Sequence, residues 1–241
     1  MKLFDKIYNA FITFFGDLKV FKFPMFIVYD PGSYLVKGED IRQVINIIKP
    51  GDIFVRGYIN YLDGYCIPGF FSHAGMYLGE VKESDRAKVK EGAEANFRTG
   101  EQMVIHSMAE GVFMEDVINF CRCDYMAILR RNTAIESPEA KNTTFDDVMH
   151  NALQNLGKNY DFKFDFADFT KLSCTELVYA SCLGFITDYD IKVRIKKALF
   201  VVKKRMITPD DFVNSKLDLV WKSKSVTDQR IEKIKAENKG V

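Results

Sequence analysis

The clearest hydrophobic pattern in the chain is an alternation, Phe71-Ser72-His73-Ala74-Gly75-Met76-Tyr77-Leu78-Gly79. Successive strand side chains point to opposite faces, so Ala74, Met76 and Leu78 share an apolar face while His73, Gly75 and Tyr77 share the other. This predicts a strand over 70–79. Shorter apolar runs predict further strands beginning at 52–56, at 103–108 and at 125–129. Pro31-Gly32 and Pro50-Gly51 are turn markers that bracket a predicted helix over 39–48. Thr144 heads a helix over 144–156 that Gly157 stops, and Thr208-Pro209-Asp210-Asp211 starts a short helix with proline at its first position. Residues 57–69 read as a Tyr- and Gly-rich loop and 80–101 as a charged surface excursion. From 222 onward the chain is polar and mildly basic, the pattern of a solvated tail.

No internal repeat occurs, and no linker rich in Pro, Gly or Ser divides the chain. The pattern therefore predicts a single α+β domain over 50–221, preceded by a 1–49 extension and followed by the 222–241 tail. Within the extension, Phe4, Ile7, Phe11, Phe14, Phe15 and Leu18 recur at roughly helical spacing, punctuated by Lys2, Lys6, Lys19 and Lys22. The uncharged stretch 7–16 is too short to span a bilayer and lacks a cleavage site, so it reads as neither a membrane span nor a signal peptide. A helix packed on the protein's own core, an interfacial helix in peripheral contact with a membrane through 1–23, and a helix docking on a partner all fit it.

Composition narrows the function by exclusion. Lys and Arg total 34 against 33 Asp and Glu, a formal net charge of +1, which gives no global pull toward nucleic acid or anionic membrane. The 5 cysteines are an odd number with no disulfide-framework spacing, so reduced thiols in a cytoplasmic compartment, with membrane association through 1–23 as a variant, are the expectation. No phosphate-cradling glycine loop and no nucleic-acid motif is present. Cys121-Arg122-Cys123 brings two thiols close in sequence, but without C-x-x-C or H-E-x-x-H spacing no metal site is expected.

The candidate chemistry centres on Cys174. Ser173 followed by Glu176 and then an apolar run is a capping-box signature, which makes Ser173 the N-cap and Cys174 the first helical residue. There the helix dipole and unpaired first-turn N–H groups favour a thiolate. A buried cysteine that merely starts a helix is the competing reading. Of the 3 histidines, His73 and His106 both lie mid-strand, and Gly75 beside His73 leaves room over its imidazole for a substrate or another side chain. His150 falls on the polar side of its helix with Asp146 and Asp147 and reads as solvated. A helix-start thiol, a base and a polar group to orient that base are the parts of an activated nucleophile.

Gly51-Asp52-Ile53, the 71–79 segment, Val104-Ile105-His106, Tyr160-Asp161 and Ser173-Cys174-Thr175-Glu176-Leu177-Val178 follow one another in that order. Together they resemble the permuted papain-like cysteine hydrolases of the YaeF/YiiX branch of the NlpC superfamily, over roughly 50–215. The resemblance implies an antiparallel sheet packed against helices, no cofactor, Cys174 as nucleophile, His73 as general base and His106 in the orienting position, which in that branch is often Glu. It also places Tyr160 near the site, as a substrate or oxyanion contact. The implied reaction is amide hydrolysis through a thioester acyl-enzyme, on an amide- or ester-containing small molecule, peptide or lipid. A lipid-directed acyltransferase or phospholipase on the same triad, and a binding module without turnover, are the alternatives.

Overall fold

The computed structural model describes residues 19–21, 26–28, 34–59, 67–164, 166, 168–198 and 202–237. In chain order the strands and α-helices are β1 (Lys19–Phe21), β2 (Phe26–Val28), α1 (Gly38–Ile47), β3 (Ile53–Gly57), β4 (His73–Val81), β5 (Gly100–Met108), β6 (Gly111–Asp116), α2 (Val117–Phe120) and β7 (Tyr125–Arg130). There follow α3 (Pro138–Lys141), α4 (Phe145–Leu153), α5 (Cys174–Ser181), β8 (Arg194–Ala198), β9 (Val202–Met206), α6 (Pro209–Val213), β10 (Asp218–Lys222) and α7 (Asp228–Glu237). Six strands form an antiparallel sheet in the order β10-β7-β3-β4-β5-β6. β1–β2 and β8–β9 are separate two-stranded ribbons. The expected α+β class with an antiparallel sheet against helices is what is observed.

The alternation in β4 divides the core as its pattern demands. Ala74, Met76 and Leu78 face a large cluster with Leu177 and Val178 of α5 and Val148, Met149 and Ala152 of α4. The opposite face carries Tyr77 and packs with Phe54, Val104, Met126 and Ile128 against Val44 of α1 and Phe120 of α2. The approach to β4 is held from outside the sheet: Asp210, in the first turn of α6, accepts the backbone N–H of Phe70 at 2.7 Å and of Phe71 at 2.9 Å. Burial pushes the Asp210 carboxyl up to about 6 even against those two donors.

Several expectations are corrected. Residues 80–101 contain two 3₁₀ turns, Glu83–Lys88 and Glu94–Asn96. β6 and β10 were not evident in the hydrophobic pattern, and α4 ends at Leu153, short of the expected 156. Cys121 and Cys123 are not in an extended segment. They flank a turn closed by the Cys123 N–H to Cys121 C=O bond at 2.9 Å, and both are buried in the same cluster. Residues 19–21 of the predicted N-terminal helix are a strand, and residues 1–18 lie outside the described residues.

The solvated-tail reading is also overturned. Val226, Ile231 and Ile234 are buried in the main core, because α7 turns one narrow apolar stripe inward while its polar majority stays wet. Ile231→Ala should therefore lower the unfolding free energy by about 2–4 kcal/mol, read as a lower urea midpoint. An unchanged midpoint would return this segment to the solvent.

Candidate active site

Cys174 opens α5 as the capping box predicted. The Ser173 hydroxyl accepts the Glu176 N–H at 3.4 Å, and the Glu176 carboxylate accepts the Ser173 N–H at 2.7 Å. Glu176 also accepts the N–H of Phe166 at 2.9 Å, so the carboxylate that caps the helix pins the aromatic loop before it. Burial lifts Glu176 to about 7 against these donors. It is therefore a structural cap, sharing its proton near neutrality.

The thiol of Cys174 is 2% exposed. Burial pushes it up to about 11, while the backbone N–H groups of Ala74, Thr175 and Cys174 itself pull it down. The first-turn N–H groups act on the thiol in the expected direction, and burial outweighs them. Helix-terminus donors are present, but removing a charge from water costs more than they return. Among the described cysteines Cys174 is the least elevated: Cys121 and Cys182 are each pushed up to about 12, and burial lifts Cys123 well above the ordinary thiol range.

Strand pairing places the histidines. Gly75 is opposite His106 across β4–β5, so His73 and His106 lie on the same sheet face in neighbouring strands. His73 Nε2 is 2.9 Å from His106 Nδ1, with the two rings nearly perpendicular at 80°. Burial, then the charges of Arg56 and His106, hold His73 well below the usual imidazole range. The room expected over Gly75 is filled by the protein: a β-carbon there would come within 2.7 Å of the Phe120 ring and 3.2 Å of the His106 β-carbon. Glycine is required so that Phe120 and His106 can close over the strand.

α5 packs on the Ala74 face of β4, and the His73 ring turns to the other. The link on record is through the backbone: the Ala74 N–H that reaches the Cys174 sulfur belongs to the peptide leaving His73. Among the described residues His73 and Cys174 make no hydrogen bond with each other. Tyr160 is half-buried in an aromatic cluster, its ring 4.8 Å from Phe162 and 5.8 Å from Phe164. That loop returns to the segment leading into Cys174 through the Leu172 N–H to Asn159 C=O bond at 3.0 Å. His150 is exposed. Among the described residues, no three His, Cys, Asp or Glu side chains converge as a metal-ligand set.

Two further charged residues join this face. Arg56 lies directly opposite His73 across β3–β4, and Glu115 follows two residues after Phe113, the partner of His106 on β6. Glu115 Oε1 is 3.0 Å from His106 Nε2 and 3.7 Å from the Arg56 guanidinium. Burial raises Glu115, but the His106 N–H and the His106 and Arg56 charges outweigh it and hold it below the usual carboxylate range. Arg56 donates to the Phe120 carbonyl at 2.7 Å and lies 4.1 Å over that residue's ring. Neither residue was singled out in the sequence. The signal for Glu115 was the hairpin itself, Ala109-Glu110-Gly111 leading into alternating Val112 and Met114.

An antiparallel sheet with a thiol-bearing helix that follows, in chain order, the strands carrying the histidines is the permuted papain-like α+β arrangement. The chain belongs to the permuted papain-like amidase enzymes of the YaeF/YiiX, C92 family, whose family model matches residues 47–236. Among solved structures it is similar to one described as the metalloprotein yiiX from Escherichia coli O157:H7. That similarity is 16% identity at a TM-score of 0.45, over 73% of this chain and 97% of the other. No curated protein matches the chain.

With the thiol held neutral, alkylation of Cys174 by limiting iodoacetamide should rise about tenfold per pH unit from about pH 7 to about pH 9, before Cys121, Cys123 or Cys182 reacts. Peptide mapping after each time point reads it, and a plateau near pH 6 would show a preformed thiolate instead. Gly75→Ala should cost about 1–3 kcal/mol through displacement of Phe120 and His106. Its signature is a lowered urea midpoint together with altered His106 ring resonances.

Proposed function

We propose that this protein is a cysteine-dependent acyl-transfer enzyme in which Cys174 is the nucleophile, His73 the general base and His106 the residue that orients the base. The observation that carries this reading is local. A base already hydrogen-bonded to a second imidazole sits at the strand start whose next backbone N–H reaches a helix-start thiol. Family membership supports the amidase class, and amide hydrolysis is the preferred reaction.

On this reading the resting pair is neutral thiol and neutral imidazole. The proton leaves sulfur for His73 as the carbon–sulfur bond forms, in the manner of a hydroxyl nucleophile rather than a standing ion pair. Contact between thiol and imidazole tightens when substrate fills the site, as catalytic hydrogen bonds that are long in a free enzyme commonly do. The tetrahedral oxyanion is met by the Cys174 backbone N–H. His73 then returns the proton to the leaving amine, and water activated by His73 cleaves the thioester. The ring of Tyr160 and its aromatic neighbours supply the apolar side of the acyl site. An amide- or ester-containing small molecule, peptide or lipid is the substrate class.

The test uses p-nitrophenyl acetate, an ester with a good leaving group. The protein should release a stoichiometric burst of p-nitrophenol and carry an acetyl group on Cys174. His73→Ala should slow the burst by about 10²–10⁴-fold, the usual worth of a general base. Acetylation spread over lysines, or a burst indifferent to His73→Ala, would refute the assignment.

A further inference from the structure

Arg56, His73, His106 and Glu115 form a polar row across four strands, and the row has a direction. A carboxylate held 3.0 Å from a ring nitrogen repels a lone pair there and attracts a proton. Nε2 of His106 makes no straight hydrogen bond, with the Glu115 carboxylate lying to one side of it. The repulsion argument holds whatever the angle, because it concerns the sign of the nitrogen's exposed charge. His106 therefore carries its proton on Nε2, which leaves Nδ1 as an acceptor. The atom 2.9 Å from that acceptor is His73 Nε2, so His73 must be the donor there and carries its own proton on Nε2. Nδ1 of His73 is left as a bare lone pair, able to take a proton from a thiol.

We infer that Glu115 is a positioning residue that sets the tautomers of both imidazoles, so that His73 offers Nδ1 as the basic atom, with Arg56 holding the Glu115 carboxylate ionised. The inference rests on the assignment of His73 as base and adds to it the residue that selects which nitrogen acts. It also accounts for a buried guanidinium beside a base. Arg56 alone opposes a proton on His73, and Glu115, 3.7 Å from it, supplies the compensating charge. A residue at 115 without an acceptor oxygen would leave His106 free to present either nitrogen. Half of the resulting patterns set two N–H groups or two lone pairs against each other at 2.9 Å.

The tautomers are measurable without turnover. The protein has 3 histidines, one of them exposed, so long-range ¹H–¹⁵N correlation of the full-length ¹⁵N-labelled chain near neutral pH resolves each ring. The expected result for the wild type is a proton on Nε2 and a bare Nδ1 in both His73 and His106. Glu115→Gln keeps an acceptor oxygen and should preserve the pattern, whereas Glu115→Ala should shift the His106 nitrogens toward averaged values. The same Ala variant should slow acetylation of Cys174 at least about tenfold, while the Gln variant loses less. A wild-type His106 protonated on Nδ1 overturns the inference, and that reading needs no variant to fold. An unchanged ring pattern in Glu115→Ala overturns it as well. The expected tautomers in a protein that never acetylates Cys174 would instead leave the relay standing and remove the hydrolase assignment.

Discussion

The structure turns on the placing of charge where water cannot reach it. Strand pairing puts Arg56 opposite His73, and Arg56 is only 3% exposed. A buried guanidinium is costly unless its charge is compensated. Here the Phe120 carbonyl takes one donor, the Phe120 ring lies beneath the plane, and Glu115 supplies the negative charge. Those demands explain why Phe120 sits where it does, why residue 75 has no side chain, and why a carboxylate stands at the far end of the row.

The same desolvation governs the nucleophile. A helix N-terminus stabilises an anion by a fraction of a kcal/mol to about 2 kcal/mol in favourable buried geometry. Taking a thiolate out of water costs more, so the sulfur of Cys174 rests as a thiol, pushed up to about 11. On the proposed reading the site holds no thiolate–imidazolium pair, and the charges on this sheet face are those of Arg56 and Glu115.

Much of this was legible in the chain. The period of two in β4 assigned its faces correctly, because pleat and side-chain alternation are properties of a few consecutive residues. The capping box at Ser173 and Glu176 and the proline at the start of α6 were likewise readable from short-range chemistry. β6 was missed, although Gly111 closes a tight hairpin into it, because a six-residue strand beside a stronger one adds little to a hydrophobic profile. α7 was missed because two inward isoleucines in a polar helix are a weak signal until something lies beneath them.

The sequence by itself determined the class: an α+β fold with a helix-start cysteine, two strand histidines and the order of motifs that its family shares. Tertiary structure alone decided the electrostatics of the site. Whether Cys174 rests charged depends on burial summed over the whole fold, and whether Glu115 meets His106 depends on the register of β5 against β6. Register and burial arise between segments far apart in the chain, so no local run of residues can encode either.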